Sequence, residues 1–221
     1  MPAISFHETA VRIPAWVVDR LSFRRWLNSD TFPEVGRIGF LAGEVWVDMS
    51  KEQIFSHNQI KQEFNLVLGS LAKQEKRGRY FPDGAYLSNA LAEFTVQPDG
   101  TFVSWATLRT GRVRLVEGTR QGFLELEGSP DMVLEIVSDS SVTKDNTRMP
   151  ELYWQAEIKE YWLVDVRGER LRFDLFRHGP QGYVAVRGRG GWIKSAVFDK
   201  SFRLTRLLDT LGNPEYSLAV R

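Results

Sequence analysis

The segment from Ser129 to Val166, SPDMVLEIVSDSSVTKDNTRMPELYWQAEIKEYWLVDV, constrains the fold more than any other part of the chain. It reads as a buried strand, a polar loop, a helix and a second buried strand, which is a crossover joining two parallel strands of one sheet. Glu135 stands inside the first strand, within Met132-Val133-Leu134-Glu135-Ile136-Val137. Removing a carboxylate from water is costly unless a cation or hydrogen-bond donors compensate. Glu135 therefore requires a partner from elsewhere in the chain.

The 221 residues suit one compact domain, or one domain with an N-terminal extension. A hydrophobic fraction of 43% and an aromatic fraction of 12% are enough for a sizeable core. The 29 lysines and arginines nearly balance 28 acidic residues, so any basic surface has to be local. Such clusters occur at Lys73–Arg79, Arg167–Arg177, Arg187 and Arg189, each readable as an ordinary solvated face. The absence of cysteine excludes disulfides and thiolate metal sites. No apolar run approaches the ~18–20 residues of a membrane span. The opening stretch, with His7, Glu8 and Arg12, lacks a signal-peptide core, and a cytoplasmic protein is the expectation.

Residues 1–35 read as an N-terminal arm with a short helix, in which Leu21, Phe23, Trp26 and Leu27 fall near helical spacing. From residue 36 to 221 the pattern is that of one mixed α/β domain. A hairpin runs through Arg37–Leu41 and Glu44–Asp48 with its turn at Ala42-Gly43. Ser56 and Gln59 form a capping-box pattern opening a helix with Ile60, Phe64, Val67, Leu68 and Leu71 as its stripe. His57 falls in its first turn, as a core or capping residue or as part of a site. Strand signals follow at 84–88, 93–97 and 101–105, with Pro98-Asp99-Gly100 as a turn between the last two. Residues 106–128 read as loop-rich, 169–177 and 182–187 as a hairpin, and Phe202–Leu211 as a terminal helix.

Along the first strand of the crossover, Asp131, Val133, Glu135 and Val137 share one face. Asp131 and Glu135 are roughly 13 Å apart at ~3.3 Å per residue, too far to share one hard cation. Asp131 is then a structural cap or turn acceptor, and Asp99, which follows a different strand, is the available partner. Two carboxylates on neighbouring strands are what a divalent-metal phosphodiesterase site requires: they hold Mg²⁺ (or Mn²⁺), which polarises the phosphate and activates a water. A lysine nearby would stabilise developing charge. Asp165, ending the second strand, is a candidate ligand or a turn acceptor. Trp154, Tyr161 and Trp162 read as base-stacking or core residues.

The wider pattern is more specific. Val96-Gln97-Pro98-Asp99, then Ser129-Pro130-Asp131 through Glu135-Ile136-Val137-Ser138, then Glu160-Tyr161-Trp162-Leu163-Val164-Asp165 resembles the Uma-type endonuclease family. Gly43-Glu44-Val45, Ser56-His57 and Leu152-Tyr153 resemble it too, and the resemblance spans roughly residues 36–208. It implies a restriction-endonuclease-like fold of the PD-(D/E)xK superfamily, a mixed central β-sheet flanked by helices with extra hairpins. It further implies a metal-dependent nuclease with Asp99 and Glu135 as the acidic ligands and His57 as the histidine opening the first helix. Asp145 matches an acid of the family, and helix N-terminal charge explains it equally well. The chain departs from the pattern at the lysine: the strand position is Val137, and the helix position four residues before Tyr153 is Met149, followed by Pro150. Pro150 places the helix start near Thr147. Lys144 and Arg148 are the cations available to substitute, although arginine is a poor proton-transfer group.

The leading reading is a Mg²⁺-dependent endonuclease acting on DNA, with Asp99, Glu135, Lys144 and His57 at its site. A homodimer would suit cutting of two strands. The alternatives are a nuclease-degenerate DNA-binding or protein-interaction module on the same fold, and a hydrolase of another phosphoester.

Overall fold

The computed structural model describes residues 11–118 and 122–221; His7 and Glu8 of the opening stretch lie outside them. In chain order the elements begin with helix α1 (Arg20–Leu27), strands β1 (Arg37–Leu41) and β2 (Glu44–Asp48), a π-helical segment (Ile54–Gln59) and α2 (Ile60–Gln74). Next are β3 (Gly78–Pro82), β4 (Tyr86–Asn89), β5 (Phe94–Val96), β6 (Gly100–Ser104), α3 (Trp105–Arg109), β7 (Val113–Glu117) and β8 (Phe123–Gly128). The crossover comprises β9 (Met132–Ile136), a second π-helical segment (Lys144–Arg148), α4 (Met149–Gln155) and β10 (Glu160–Asp165). The chain continues through β11 (Arg172–Gly179), β12 (Gly182–Ala185), β13 (Ile193–Ser195), β14 (Lys200–Leu208) and β15 (Pro214–Val220).

The expected crossover is present: β9 and β10 are parallel, with Glu135 opposite Leu163. They lie at the centre of a sheet ordered β12-β11-β10-β9-β6-β3. A second sheet has the order β2-β1-β5-β4-β8-β7, and β13-β14-β15 form a third. Alternation along β9 divides the interior. Met132, Leu134 and Ile136 join α2 residues Ile60, Phe64 and Leu68, and Phe202, Leu204 and Leu218 of the third sheet, in one core. Val133 and Val137 face the other way, into a core made with Met149, Leu152 and Tyr153 of α4 and Leu87, Phe94 and Leu126 of the second sheet. The central sheet is thus covered on both faces, which is why its two middle strands carry unbroken apolar runs. Trp162 fills the first core and meets Phe198 and Phe202 edge-on. No helix among the described residues is long and apolar enough to cross a membrane.

Four local expectations are corrected. Phe202–Leu211 forms no helix: it is largely β14, in an antiparallel hairpin with β15, burying Phe202 and Leu204 and exposing Leu207, Leu208 and Leu211. Its leucines mimic helical spacing, but the inward alternation of Phe202 and Leu204 and the turn bonded to Asp209 Oδ1 by the N–H groups of Leu211 and Asn213 settle it as β. The described residues of 106–128 are structured, contributing most of α3 and the antiparallel pair β7–β8. The Ser56–Gln59 box does not form; Gln53 caps the first π-helical segment, accepting from the Ser56 N–H. The crossover helix begins at Met149 rather than Thr147, after the second π-helical segment, with Pro150 in its first turn.

Helix α1 forms as expected over 20–27, capped by Asp19, although Leu21 is exposed while Phe23, Trp26 and Leu27 are buried. These pack on Ile38, Phe40 and Tyr86 of the second sheet. Arg24 crosses the same interface, with Nε 2.7 Å from Glu125 Oε1 and Nη1 3.1 Å from Glu127. Glu125 is buried, so truncating Arg24 strands a carboxylate. Arg24→Ala is expected to lower unfolding free energy by roughly 3–5 kcal/mol in urea titration. A loss under ~1 kcal/mol would mean that Ser88, which also donates to Glu125, suffices alone.

Candidate active site

The pairing of β6 with β9 explains how two distant sequence positions meet. Gly100 pairs with Leu134 and Thr101 with Val133, which places Asp99 across from Glu135 one step further along the same antiparallel ladder. Directly opposed residues have Cβ atoms about 4.5–5.5 Å apart. Gly100 starts β6 rather than closing a turn, and a Cβ there would collide with the Tyr80 hydroxyl, which bonds Asn65. Both carboxylates are 1% exposed and border a cavity of about 30 Å³. That is room for a water or a small ion.

Asp99 is surrounded by donors and cations. Its Oδ2 accepts the Ile136 N–H at 2.8 Å, with His57 Nε2 at 3.6 Å. Its Oδ1 lies 3.1 Å from Arg37 Nη1 and 4.0 Å from Lys61 Nζ, and is without a hydrogen bond of good geometry. Burial alone would raise the Asp99 pKa, but His57, Arg37 and Lys61 outweigh it and hold the carboxyl well below the usual range. Arg37 and Lys61 are bridged in turn by Glu52 and Asp83. Arg37 Nη2 is 2.9 Å from Glu52 and 2.8 Å from Asp83, and Lys61 Nζ is 2.5 and 2.7 Å from the same pair.

Glu135 has the opposite electrostatics. Tyr153 donates its hydroxyl to Oε1 at 2.5 Å, and Lys144 Nζ stands 4.0 Å from Oε2. Burial pushes the Glu135 pKa up to about 8; Lys144 pulls it down, whereas Asp145 and Asp99 push it further up. Asp145 is also raised, first by burial, with Lys144 at 3.2 Å opposing. Burial would lower the Lys144 pKa, but Glu135, Asp145 and Asp99 more than offset this, so its ammonium keeps its charge.

The four expected residues, His57, Asp99, Glu135 and Lys144, are therefore brought together. Arg148 is not: it pairs with Glu44 at 2.6 Å and lies over Trp46. Val137 and Met149, the two positions where a lysine was missing, are buried core residues. The π-helical segment supplies the replacement. The Met149 N–H bonds the Lys144 carbonyl five residues back, so Lys144 sits one wide turn before Met149. His57 belongs to the other π-helical segment, where the Asn58 N–H bonds Gln53 O. Such segments frequently mark functional sites because the extra residue re-aims side chains.

Asp131 has the structural part expected, accepting from Ser104 N–H at 2.7 Å and Lys159 at 2.5 Å at the far end of β9. Asp165 is a turn acceptor for Arg167 N–H and its guanidinium. Arg37, Lys61, Glu52 and Asp83 were not singled out from the sequence. The available signal was Lys61 four residues after His57, on the same helical face.

Among the described residues no three His, Asp or Glu groups form a ready-made metal cage. Two hard oxygen donors facing one small cavity, with Asp99 Oδ1 lacking a hydrogen bond, nonetheless fit a divalent cation. Mg²⁺ in particular is held through one or two carboxylates, with water completing its shell. The cavity is lined by four carboxyl groups (Asp48, Asp99, Glu135, Asp145) and two cations (Arg37, Lys144).

The Glu135 shift fixes the sign of a pH effect. Between its ordinary value of 4.5 and about 8 the folded chain holds a proton that the unfolded chain releases. This contribution to stability is complete below 4.5 and is lost as pH rises toward 8. In EDTA, the melting temperature of Glu135→Gln relative to wild type is expected to climb across that window. A difference that stays flat or falls would place the proton elsewhere.

Comparison with known proteins identifies the family and the fold. The profile of the Uma2 family, described as "Putative restriction endonuclease", matches residues 22–206. No curated protein matches the sequence. Among solved structures, the chain is similar to a protein of Anabaena variabilis described as "a putative nuclease belonging to DUF820". The TM-score is 0.59 at 16% identity, covering 82% of this chain and 91% of that one. This likeness establishes the shared restriction-endonuclease-like fold.

Proposed function

The chain belongs to the Uma2 family, described as "Putative restriction endonuclease", and from that premise we propose that it is a divalent-metal-dependent nuclease hydrolysing DNA phosphodiester bonds. The observation that carries the reading is the register placing Asp99 opposite Glu135, with Lys144 4.0 Å from the latter. Asp99 Oδ1 and Glu135 Oε2 would hold Mg²⁺ or Mn²⁺. When bound, the ion supplies positive charge that polarises the phosphate and lowers the pKa of an attacking water. Tyr153 fixes Glu135 by donating its hydroxyl to Oε1, and Lys144 stands on the Oε2 side. Lys144 keeps its proton and stabilises charge developing on the phosphate oxygens. His57 supports Asp99 from the side of α2. A cytoplasmic, homodimeric enzyme would suit cleavage of both strands of a duplex.

In a plasmid-nicking assay, Asp99→Ala and Glu135→Ala are expected to fall to the background seen in EDTA. Lys144→Met should lose about 10²–10³-fold in rate while still binding Mn²⁺. Equal rates in wild type and both carboxylate variants would sink the proposal.

Arg37 favours a second reading, a nuclease-degenerate DNA-binding module, because its guanidinium already stands 3.1 Å from the oxygen that a metal would use. Calorimetric titration with Mn²⁺ separates the two. The nuclease reading expects wild-type binding that tightens from pH 6 toward pH 8, as the Glu135 proton is displaced. Absent metal binding with salt-dependent DNA affinity would support the degenerate module.

A further inference from the structure

A groove of about 470 Å³ opens between α4 and the β11–β12 hairpin. We propose that it seats an unpaired nucleobase of the DNA strand beside the phosphate being attacked. This rests on the nuclease reading above and assigns that site a subsite for single-stranded or locally opened DNA.

The walls of the groove are aromatic and fixed. Trp154 is half-buried, its indole N–H donating to Gly179 O at 2.8 Å, and its ring stacks on His178 at 5.8 Å and 15°. Phe176 stacks on Tyr161 at 5.9 Å and 19°. Tyr183 donates its hydroxyl to Ile158 O at 2.8 Å. With the polar tips of Trp154 and Tyr183 satisfied inside the protein, what these rings offer the groove is rigid apolar surface. The rim is polar: Gln181 and Glu151 border the groove, the Asn146 amide is held by Arg172 at 2.7 Å and by the Val142 carbonyl at 2.9 Å, and Arg172 is also paired with Asp174 at 2.5 Å. Aromatic faces accept any base by stacking, the Gln181 amide can reach a base edge, and the Arg172 guanidinium suits the flanking phosphate. The volume falls within the range of about 300–1,000 Å³ found for small-ligand pockets.

Position selects this occupant over an unrelated ligand. Leu163, on the groove floor, is the in-register neighbour of Glu135 on the adjoining strand, and adjacent strands lie about 4.8 Å apart. Asn146 and Thr147 of the groove directly follow Asp145, whose carbonyl accepts the Tyr161 hydroxyl. The groove therefore starts one strand away from the carboxylate pair, about a nucleotide's reach along an extended strand. A base stacked inside a duplex could enter only by leaving its stack.

The test is equilibrium binding in EDTA, so that no cleavage intervenes. The probe is a short single-stranded oligodeoxynucleotide carrying one 2-aminopurine, compared with the same strand carrying an abasic residue at that position. The expected result is a change in 2-aminopurine emission on binding, with affinity roughly tenfold weaker for Trp154→Ala and near wild type for Trp154→Phe. Gln181→Ala, at an exposed rim position with no packing to lose, should weaken binding to a smaller extent, and serves if Trp154→Ala folds poorly. Equal affinity for the base-bearing and abasic strands, or binding with unchanged emission and no effect of Trp154→Ala, overturns the base pocket. The nicking assay remains independent of that outcome. Cleavage that persists without base seating refutes this inference alone, whereas failure of the carboxylate variants to lose activity refutes the nuclease reading instead.

Discussion

Two carboxylates facing each other across adjacent antiparallel strands set the terms for everything around them. Opposed like charges on a sheet are destabilising, and burial on both faces of the sheet makes them more so. The chain resolves this by making the two unequal. Asp99 is given the Ile136 N–H and the charges of Arg37 and Lys61, and its pKa falls. Glu135 is buried beside two acidic neighbours, which a tyrosine hydroxyl and a lysine 4.0 Å away offset only in part, and its pKa rises to about 8. Titratable groups driven apart in this way by their surroundings are typical of sites that handle protons or metal.

The lysine illustrates how a fold can move a charge without moving its backbone frame. The positions where the resemblance leads one to look are Val137 and Met149, and both are core side chains packed between the central sheet and α4. A lysine there would sit among apolar neighbours. The wide turn from Lys144 to Met149 places a cation at the mouth of the same site while leaving the packing of α4 intact. Pro150 helps to permit this. It has no N–H to extend the wide-turn ladder beyond the Met149–Lys144 bond, and the Asp145 carbonyl five residues back accepts the Tyr161 hydroxyl instead.

What could be read from the sequence was local or periodic. A glutamate in an apolar strand, its separation from Asp131, and the strand–helix–strand order all follow from one stretch of chain, and the structure has each of them. Asp99 was reachable by elimination together with the resemblance. Arg37, Lys61, Glu52 and Asp83 were not, because each comes from a different part of the chain and looks alone like an ordinary solvated charge. They converge only where β1, the start of α2 and the turn after β3 meet around Asp99. The hairpin β14–β15 escaped for a related reason: leucines at 204, 207, 208 and 211 fit a helix as well as a strand until the partner strand is known. Neither π-helical segment has a sequence signature, since one extra residue in a turn is a consequence of what the turn must reach.

Arg37 is the point at which the structure's charge balance meets its chemistry. Its guanidinium spans Asp99 through Nη1 and the Glu52–Asp83 pair through Nη2, so it already has somewhere to go. A cation taken up at Asp99 Oδ1 would share that oxygen with Arg37, and like charges would press the guanidinium toward Glu52 and Asp83. Those two acids are also bonded to Lys61, which would resist the shift. The carboxyl groups lining the cavity favour uptake, and the prior claim of Arg37 on Asp99 opposes it. The affinity of the site for metal is therefore set less by the two carboxylates themselves than by how readily the surrounding network accepts one displaced arginine.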